Sequence, residues 1–213
     1  MIIKNKQLNK GQYHDEVQPK RIIVLHHTAG GSAQSSINWW NETAERVATS
    51  VVIDRNGEVL QAFPFDRWAS ALGIKQSTFD KYKLKNINVR LDQISIQIEI
   101  ASWGGLTEKD GKYYTYTGKE IPKEDVQVYE KPYRGFKYYE KYTEAQIRAV
   151  EELLKDLVVK YPQIKKDYNE DMWDVSKRAL EGTWGIWTHT SFRSDKNDCH
   201  PQPDLIKVLK NIK

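Results

Sequence analysis

The chain has 213 residues, of which 39% are hydrophobic and 29% charged, and this balance fits one domain with a buried core and a charged surface. Its net charge of +4 comes from 33 basic and 29 acidic residues without a basic block, which argues against nucleic acid as a partner. No stretch approaches the roughly 18 consecutive apolar residues of a membrane span, and the single cysteine, Cys199, excludes an intramolecular disulfide and a four-cysteine zinc site.

The chain begins with a polar leader, residues 1–20, which lacks the apolar stretch of a signal peptide. We therefore expect synthesis in the cytoplasm. A first strand is predicted at residues 21–27, "RIIVLHH", which ends in two adjacent histidines. A short helix is predicted through "INWWNE", because Ser32 or Ser35 can cap its beginning.

Two strand signals follow. "SVVIDRNGEVLQAF" predicts a β-hairpin that turns at Asn56 and Gly57, since this dipeptide lies between two apolar runs. "ISIQIEIAS" alternates between isoleucines and the polar residues Ser95, Gln97 and Glu99, which predicts a strand with two distinct faces.

Residues 104–142 are rich in tyrosine and lysine, and we interpret them as an insertion made of a hairpin, turning at Asp110 and Gly111, plus an extended loop. "TEAQIRAVEELLKDLVVKYP" predicts a helix that begins with a capping box of Thr143 and Gln146. "GIWTH" predicts a short strand, and "PDLIKVLKNI" predicts a final helix with proline near its start.

Strands that alternate with helices predict the α/β class, with a central mixed β-sheet flanked by helices. We interpret residues 1–213 as a single domain that contains the insertion. Functional side chains are expected where the strands end.

The candidate metal ligands lie at two such strand ends. His26 ends the first strand, His189 ends "GIWTH", and Asp198 and Cys199 follow soon after. A catalytic zinc ion commonly takes three protein ligands and keeps a position for water. If the two strands are neighbours, both histidines and either Asp198 or Cys199 can form such a site.

Two further residues suit hydrolysis at such a zinc ion. Glu99, on the polar face of its strand, is a candidate general base, and Lys196 is a candidate cation for an oxyanion. Each also has an ordinary structural interpretation, because polar strand faces and loop lysines are commonly just solvated.

The motifs "IIVLHHTAG" and "GIWTHTSFRSDKND", with "SIQIEI" between them, resemble the zinc-dependent N-acetylmuramoyl-L-alanine amidases of the type-2 class. That class includes amidase-type phage lysozymes, bacterial anhydromuropeptide amidases and animal peptidoglycan recognition proteins. The resemblance covers residues 21–205, and the insertion is similar to that of a subset of phage and bacterial members.

The resemblance implies one zinc ion bound by His26, His189 and Asp198, because Lys196-Asn197-Asp198 matches the family's Lys-x-Asp pattern. Cys199 remains the alternative third ligand, one residue out of register. The family's "IGIEL" glutamate corresponds to Glu99 in "IQIEI", so Glu99 and Lys196 are implied to be the catalytic residues.

The sequence departs from the family where many members contact substrate. Thr49 and Ser50 stand where many have tyrosine or serine followed by histidine, and "RWASALG" lacks the histidine of an "AWHAG"-like segment. Aromatic faces suit sugars, and an arginine suits a carboxylate of the stem peptide. The substrate-binding candidates are Trp39, Trp68, Thr49, Arg193 and His27. Of these, His27 is expected to support the site rather than to hold substrate directly.

The resemblance thus implies hydrolysis of the amide between N-acetylmuramic acid and L-alanine in peptidoglycan or a muropeptide. We expect a monomeric phage or prophage endolysin that acts on the cell wall after release. The alternatives are a recognition domain that binds peptidoglycan without catalysis and a cytoplasmic amidase of muropeptide recycling.

Overall fold

A six-stranded mixed sheet lies at the centre of the computed structural model, which describes residues 1–212. In spatial order its strands are β1 (Ile3–Asn5), β4 (Val59–Gln61), β3 (Val51–Ile53), β5 (Ser95–Ile100), β2 (Ile22–His27) and β11 (Gly185–Thr188). Only β3 and β4 pair antiparallel; the other neighbours are parallel. The predicted hairpin and the three strands that precede the candidate site residues are thereby confirmed.

Helices cover both faces of this sheet, as its central strands, buried on both sides, require. They are α1 (Ala33–Glu42), α2 (Gln76–Lys81), α3 (Asn88–Ile94), α4 (Glu144–Lys160), α5 (Lys177–Leu180) and α6 (Pro203–Lys210). One core cluster joins α4 and α6 to the sheet, and a second joins α1 to β3 and β4. Among residues 1–212, no helix is long and apolar enough to cross a membrane.

The ends of two helices follow the predicted capping chemistry. Thr143 accepts a hydrogen bond from the backbone of Gln146, whose side chain in turn accepts one from the backbone of Thr143. Ser32, rather than Ser35, occupies the N-cap of α1. The short helices α2 and α3 were not predicted, since neither has a side-chain cap that would signal its start.

The insertion is more regular than the sequence predicts. It forms a five-stranded antiparallel sheet made of β6 (Gly105–Lys109), β7 (Lys112–Tyr114), β8 (Glu120–Ile121), β9 (Val126–Tyr133) and β10 (Phe136–Glu140). The hairpin between β6 and β7 is confirmed, whereas the expectation of an extended loop after it is wrong. The strands of this sheet contain many tyrosines and few aliphatic residues. Their sequences therefore lack a clear alternation of apolar and polar residues.

The leader is part of the fold. β1 pairs in parallel with β4 at the edge of the central sheet, and Leu8 is buried in the cluster beneath α1. Lys20, the last residue of the leader, is fully buried, and its ammonium donates to the carbonyls of Gln93 and Ser95. A segment that is polar in sequence is thus fixed through a few buried contacts.

Candidate active site

The carboxyl ends of three adjacent parallel strands position the site. β2 lies between β5 and β11, and its register places His26 beside Glu99. His189 follows the last residue of β11 and begins a short 3₁₀ turn. The loop after this turn brings Asp198 back to both histidines. Three segments that are distant in sequence therefore meet at one edge of the sheet.

Three buried side chains converge there. The Nδ1 atoms of His26 and His189 are 3.0 Å apart. Asp198 Oδ2 lies 2.8 Å from the His189 atom and 3.3 Å from the His26 atom. Zinc–ligand bonds near 2.0 Å in a tetrahedral site separate the ligands by roughly 3.3 Å. The observed separations fit such a site.

The Nε2 nitrogen of each imidazole forms a hydrogen bond outside the three converging atoms. His26 Nε2 donates to Gln97 Oε1 at 2.6 Å, and His189 Nε2 donates to the carbonyl of Leu72 at 3.0 Å. With these protons on Nε2, a ring that carries no second proton presents an Nδ1 lone pair, and the two Nδ1 atoms face each other and a carboxylate. A proton on one Nδ1 leaves one acceptor unsatisfied, whereas a metal ion satisfies all three.

The electrostatics of Asp198 agree with this donor set. Burial favours its protonated form, but attraction to His189 and hydrogen bonds from His189 and His26, which need a proton on Nδ1 in the place a metal ion would take, outweigh burial and hold the pKa of Asp198 well below its usual range. The carboxylate is therefore available as a charged ligand.

Cys199, the alternative third ligand, points elsewhere. Its Sγ lies 3.0 Å from the hydroxyl of Tyr142, which follows the inserted sheet. The thiol is fully buried, and burial raises its pKa above the usual value. Of the two candidates, the structure brings Asp198 to the histidines.

A cavity of about 610 Å³ opens above the three converging side chains. Glu99 and Lys196 both line it. Glu99 Oε2 is buried and has no hydrogen-bond partner within residues 1–212. Burial raises the pKa of Glu99 to about 7, although the nearby His26 acts in the opposite direction. A carboxyl group with this pKa can exchange a proton at neutral pH.

Three of the five predicted substrate-binding residues line the same cavity: Trp39, Thr49 and His27. Trp39 is 53% exposed, so about half of its surface remains open to a ligand. Thr49 is buried and donates to the carbonyl of Val51.

His27 also contacts the loop that carries Asp198. Its Nε2 lies 3.2 Å from Asn197 Oδ1, and its Nδ1 lies 3.2 Å from the hydroxyl of Tyr142. Gly104, which has a positive φ of 73°, passes so close that a Cβ there would lie 2.4 Å from His27 Nε2. Only glycine fits beside this ring.

The remaining two predicted residues lie outside the cavity lining. Trp68 is 8% exposed and stacks on His14, with 3.8 Å between the ring centroids. Arg193 forms an ion pair with Asp195, which does line the cavity. Both residues are adjacent to site elements, but the structure does not bring their side chains to the converging ligands.

The inserted sheet contributes to the site in a way that was not predicted from the sequence. Tyr116 lines the cavity, and its hydroxyl donates to the carbonyl of Ala29, just beyond β2. Tyr133 donates to Thr190 after β11, and Arg134 donates to the carbonyl of Ser194. The density of tyrosines in the insertion is the signal that could have indicated this role.

A second link joins the insertion to the loop after β2. Glu140, at the end of β10, holds the guanidinium of Arg55 through two hydrogen bonds of 3.0 and 2.7 Å. The same guanidinium donates to the carbonyls of Gly30 and Gly31. The insertion therefore braces the cavity wall from two directions.

The comparisons with known proteins agree with this geometry. The profile of a family described as N-acetylmuramoyl-L-alanine amidase matches residues 16–203. No curated protein matches the sequence significantly. Among solved structures, the fold is similar to PlyL, at 16% identity and a TM-score of 0.58 over 100% of this chain and 99% of that chain.

Two other solved structures share the fold. The PlyG catalytic domain is 15% identical, with a TM-score of 0.55 over 100% of this chain and 95% of that chain. LysC, an N-acetylmuramoyl-L-alanine amidase from Clostridium intestinale URNW, is 13% identical, with a TM-score of 0.51 over 100% of this chain and 99% of that chain. At such identities the likeness concerns the fold alone.

Proposed function

The chain belongs to the N-acetylmuramoyl-L-alanine amidase family and is a peptidoglycan amidase, and on this premise we propose that it works with one zinc ion bound by His26, His189 and Asp198. The bond hydrolysed is the amide between N-acetylmuramic acid and the L-alanine of the stem peptide. The observation that carries the proposal is the convergence of two imidazole lone pairs and one carboxylate at 2.8 to 3.3 Å.

A bound zinc ion supplies a Lewis acid at the end of the cavity. The residues of the chain supply the proton transfer and the positioning. Glu99 takes the proton of the attacking water and passes it to the leaving amine nitrogen, since its Oε2 is free of other hydrogen bonds and its pKa is about 7. Lys196, in the wall of the same cavity, stabilises the developing negative charge on the carbonyl oxygen.

The cavity wall also suggests how substrate is held. The exposed indole of Trp39 suits a sugar ring, and Thr49 lines the same cavity. His27 supports the loop that bears Lys196 and Asp198 through its contact with Asn197. Arg193 acts indirectly, through its ion pair with Asp195.

For the biological role we favour a monomeric phage or prophage endolysin that reaches the cell wall after release. The insertion at residues 104–142 resembles that of a subset of phage and bacterial members of the family. A non-catalytic recognition domain is disfavoured by the complete set of three ligand positions. A recycling amidase remains the second candidate, and assays on intact sacculi and on soluble anhydromuropeptides separate the two.

Zinc analysis of two variants tests the ligand set. We expect Asp198→Ala to lose stoichiometric zinc and Cys199→Ala to retain it, because only the carboxylate lies beside the two imidazoles. The reverse result would make Cys199 the third ligand.

Activity tests the same assignment. Chelation of the purified protein should abolish release of stem peptides from sacculi, and added zinc should restore it. A His189→Ala protein with full activity would refute the zinc mechanism.

A further inference from the structure

A chain of buried hydrogen bonds runs along β5 to the outer nitrogen of His26. Ser95 Oγ lies 2.7 Å from the carbonyl of Leu91, and Gln97 Nε2 lies 2.6 Å from Ser95 Oγ. Gln97 Oε1 lies 2.6 Å from His26 Nε2. Ser95, Gln97 and His26 are each 2% exposed, so water does not compete for these bonds.

The chain has only one consistent direction. A carbonyl can only accept, so the Ser95 hydroxyl donates its proton to Leu91 and its oxygen accepts from Gln97. The amide of Gln97 must therefore direct its NH₂ group toward Ser95 and its oxygen toward His26. An amide oxygen accepts, so His26 carries its proton on Nε2.

We propose that Gln97 is a positioning residue that fixes the tautomer and ring orientation of His26, so that Nδ1 presents its lone pair to a metal ion. Hydrogen-bond partners of ligating histidines act in this way in metal sites generally. The inference rests on the proposed metal site. It adds a residue that touches neither the ion nor the substrate.

The Nε2 hydrogen bond of His26 is accepted by a side chain, whereas that of His189 is not. The equivalent bond of His189 goes to the backbone carbonyl of Leu72, which no substitution removes directly. Gln97 is thus the point at which a single substitution can release one ligand without altering any of the three. Gln97 and Glu99 are two residues apart in β5, so they share one face of the strand.

Zinc affinity of the metal-free protein, measured by competition with a chromophoric chelator, tests the proposal. We expect Gln97→Leu to weaken zinc binding about 10- to 100-fold. Gln97→Glu keeps an acceptor for His26, and the Ser95 hydroxyl can rotate to donate to the new carboxylate in place of the lost amide bond, so this variant should bind zinc at least as tightly as the parent. The matched control is Gln146→Leu, which removes another fully buried glutamine. Its amide donates to the carbonyls of Ile53 and Ala101 and accepts from the backbone of Thr143, and none of these groups is a proposed ligand.

The outcomes separate positioning from general damage to the fold. A Gln97→Leu protein that binds zinc within twofold of the parent overturns the proposal, as does a Gln146→Leu protein with an equal loss. If Gln97→Leu fails to fold, weaker zinc binding by Gln97→Glu refutes it instead.

A second measurement needs no metal. Nitrogen-15 chemical shifts of the metal-free parent should identify His26 as the Nε2–H tautomer, and the Nδ1–H tautomer would contradict the proposal. If the parent binds no zinc, the proposed cofactor fails, but this measurement still reports on the role of Gln97.

Discussion

Replacing Lys20 with methionine removes a cationic group that the fold buries completely. Its Nζ donates to the carbonyl of Gln93 at 2.7 Å and to that of Ser95 at 3.0 Å, at the start of the strand that carries Gln97 and Glu99. Burial lowers the pKa of Lys20 from 10.5 to about 7, although Asp66 and Asp92 favour its charged form.

The direction of the pH effect follows from proton binding. The folded protein releases the Lys20 proton near pH 7, whereas the unfolded chain keeps it up to about pH 10.5. Between these pH values the unfolded chain binds more protons than the folded protein. The contribution of Lys20 to the free energy of unfolding therefore rises with pH. The limiting slope is about 1.4 kcal/mol per pH unit. From about pH 7 to about pH 9 the parent should gain about 2 kcal/mol relative to Lys20→Met.

Urea unfolding of both proteins at three pH values across this range measures the difference. The two lost hydrogen bonds of the variant add an offset that does not depend on pH, and all other titrating groups are common to both proteins. Lys85→Met, at an exposed lysine, serves as the control and should follow the parent. Parallel profiles for Lys20→Met and the parent, within about 0.5 kcal/mol, would refute a depressed pKa at Lys20.

Three further outcomes are expected. Glu99→Gln should lower the rate of sacculus hydrolysis about 10²- to 10⁴-fold with unchanged zinc content, since it removes the proton carrier and no ligand. Tyr116→Ala should raise the KM for sacculi several-fold with little change in kcat, whereas Tyr116→Phe should resemble the parent, because the ring forms the cavity wall. Arg55→Met should lower the free energy of unfolding by about 2 kcal/mol in denaturant titrations, less than for a fully buried pair, because Arg55 is 27% exposed beside Glu140.

A different result would contradict each of these three predictions. A Glu99→Gln enzyme with parental rates would remove Glu99 from the proton transfer. Equal defects in Tyr116→Phe and Tyr116→Ala would assign the effect to the hydroxyl bond with Ala29 rather than to the ring. An Arg55→Met protein as stable as the parent would show that the cavity wall does not need this ion pair.

The sheet and the order of the site residues could be predicted because their signals are local. The alternation in "SIQIEI", the Asn56-Gly57 turn and the Thr143 capping box each depend on a few neighbouring residues. Adjacent parallel strands then bring their carboxyl ends together, which places His26 near His189. The family match supports the same chemistry.

Other features depend on contacts that the sequence does not reveal. Asp198 and Cys199 are consecutive, and spacing alone leaves both open. What separates them is a tyrosine after the inserted sheet that engages the thiol. Gln97 looked like one polar residue of an alternating strand, because nothing in its sequence neighbourhood points to His26. The inserted sheet was underestimated for a related reason, since its tyrosines bond mainly to loops outside it.

β2 and β11 are neighbours in the sheet but are made at very different times during synthesis. His26 emerges early from the ribosome, but His189 is 163 residues further along and Asp198 follows it. At elongation rates of about 5–20 residues per second, roughly 10–30 s separate the first proposed ligand from the last. During this interval β2 and β5 can pair, but the proposed metal site has only one of its three ligands. If the site binds zinc as proposed, a nascent chain is inert toward its substrate until the residues after β11 have emerged, and metal uptake belongs to the last stage of folding.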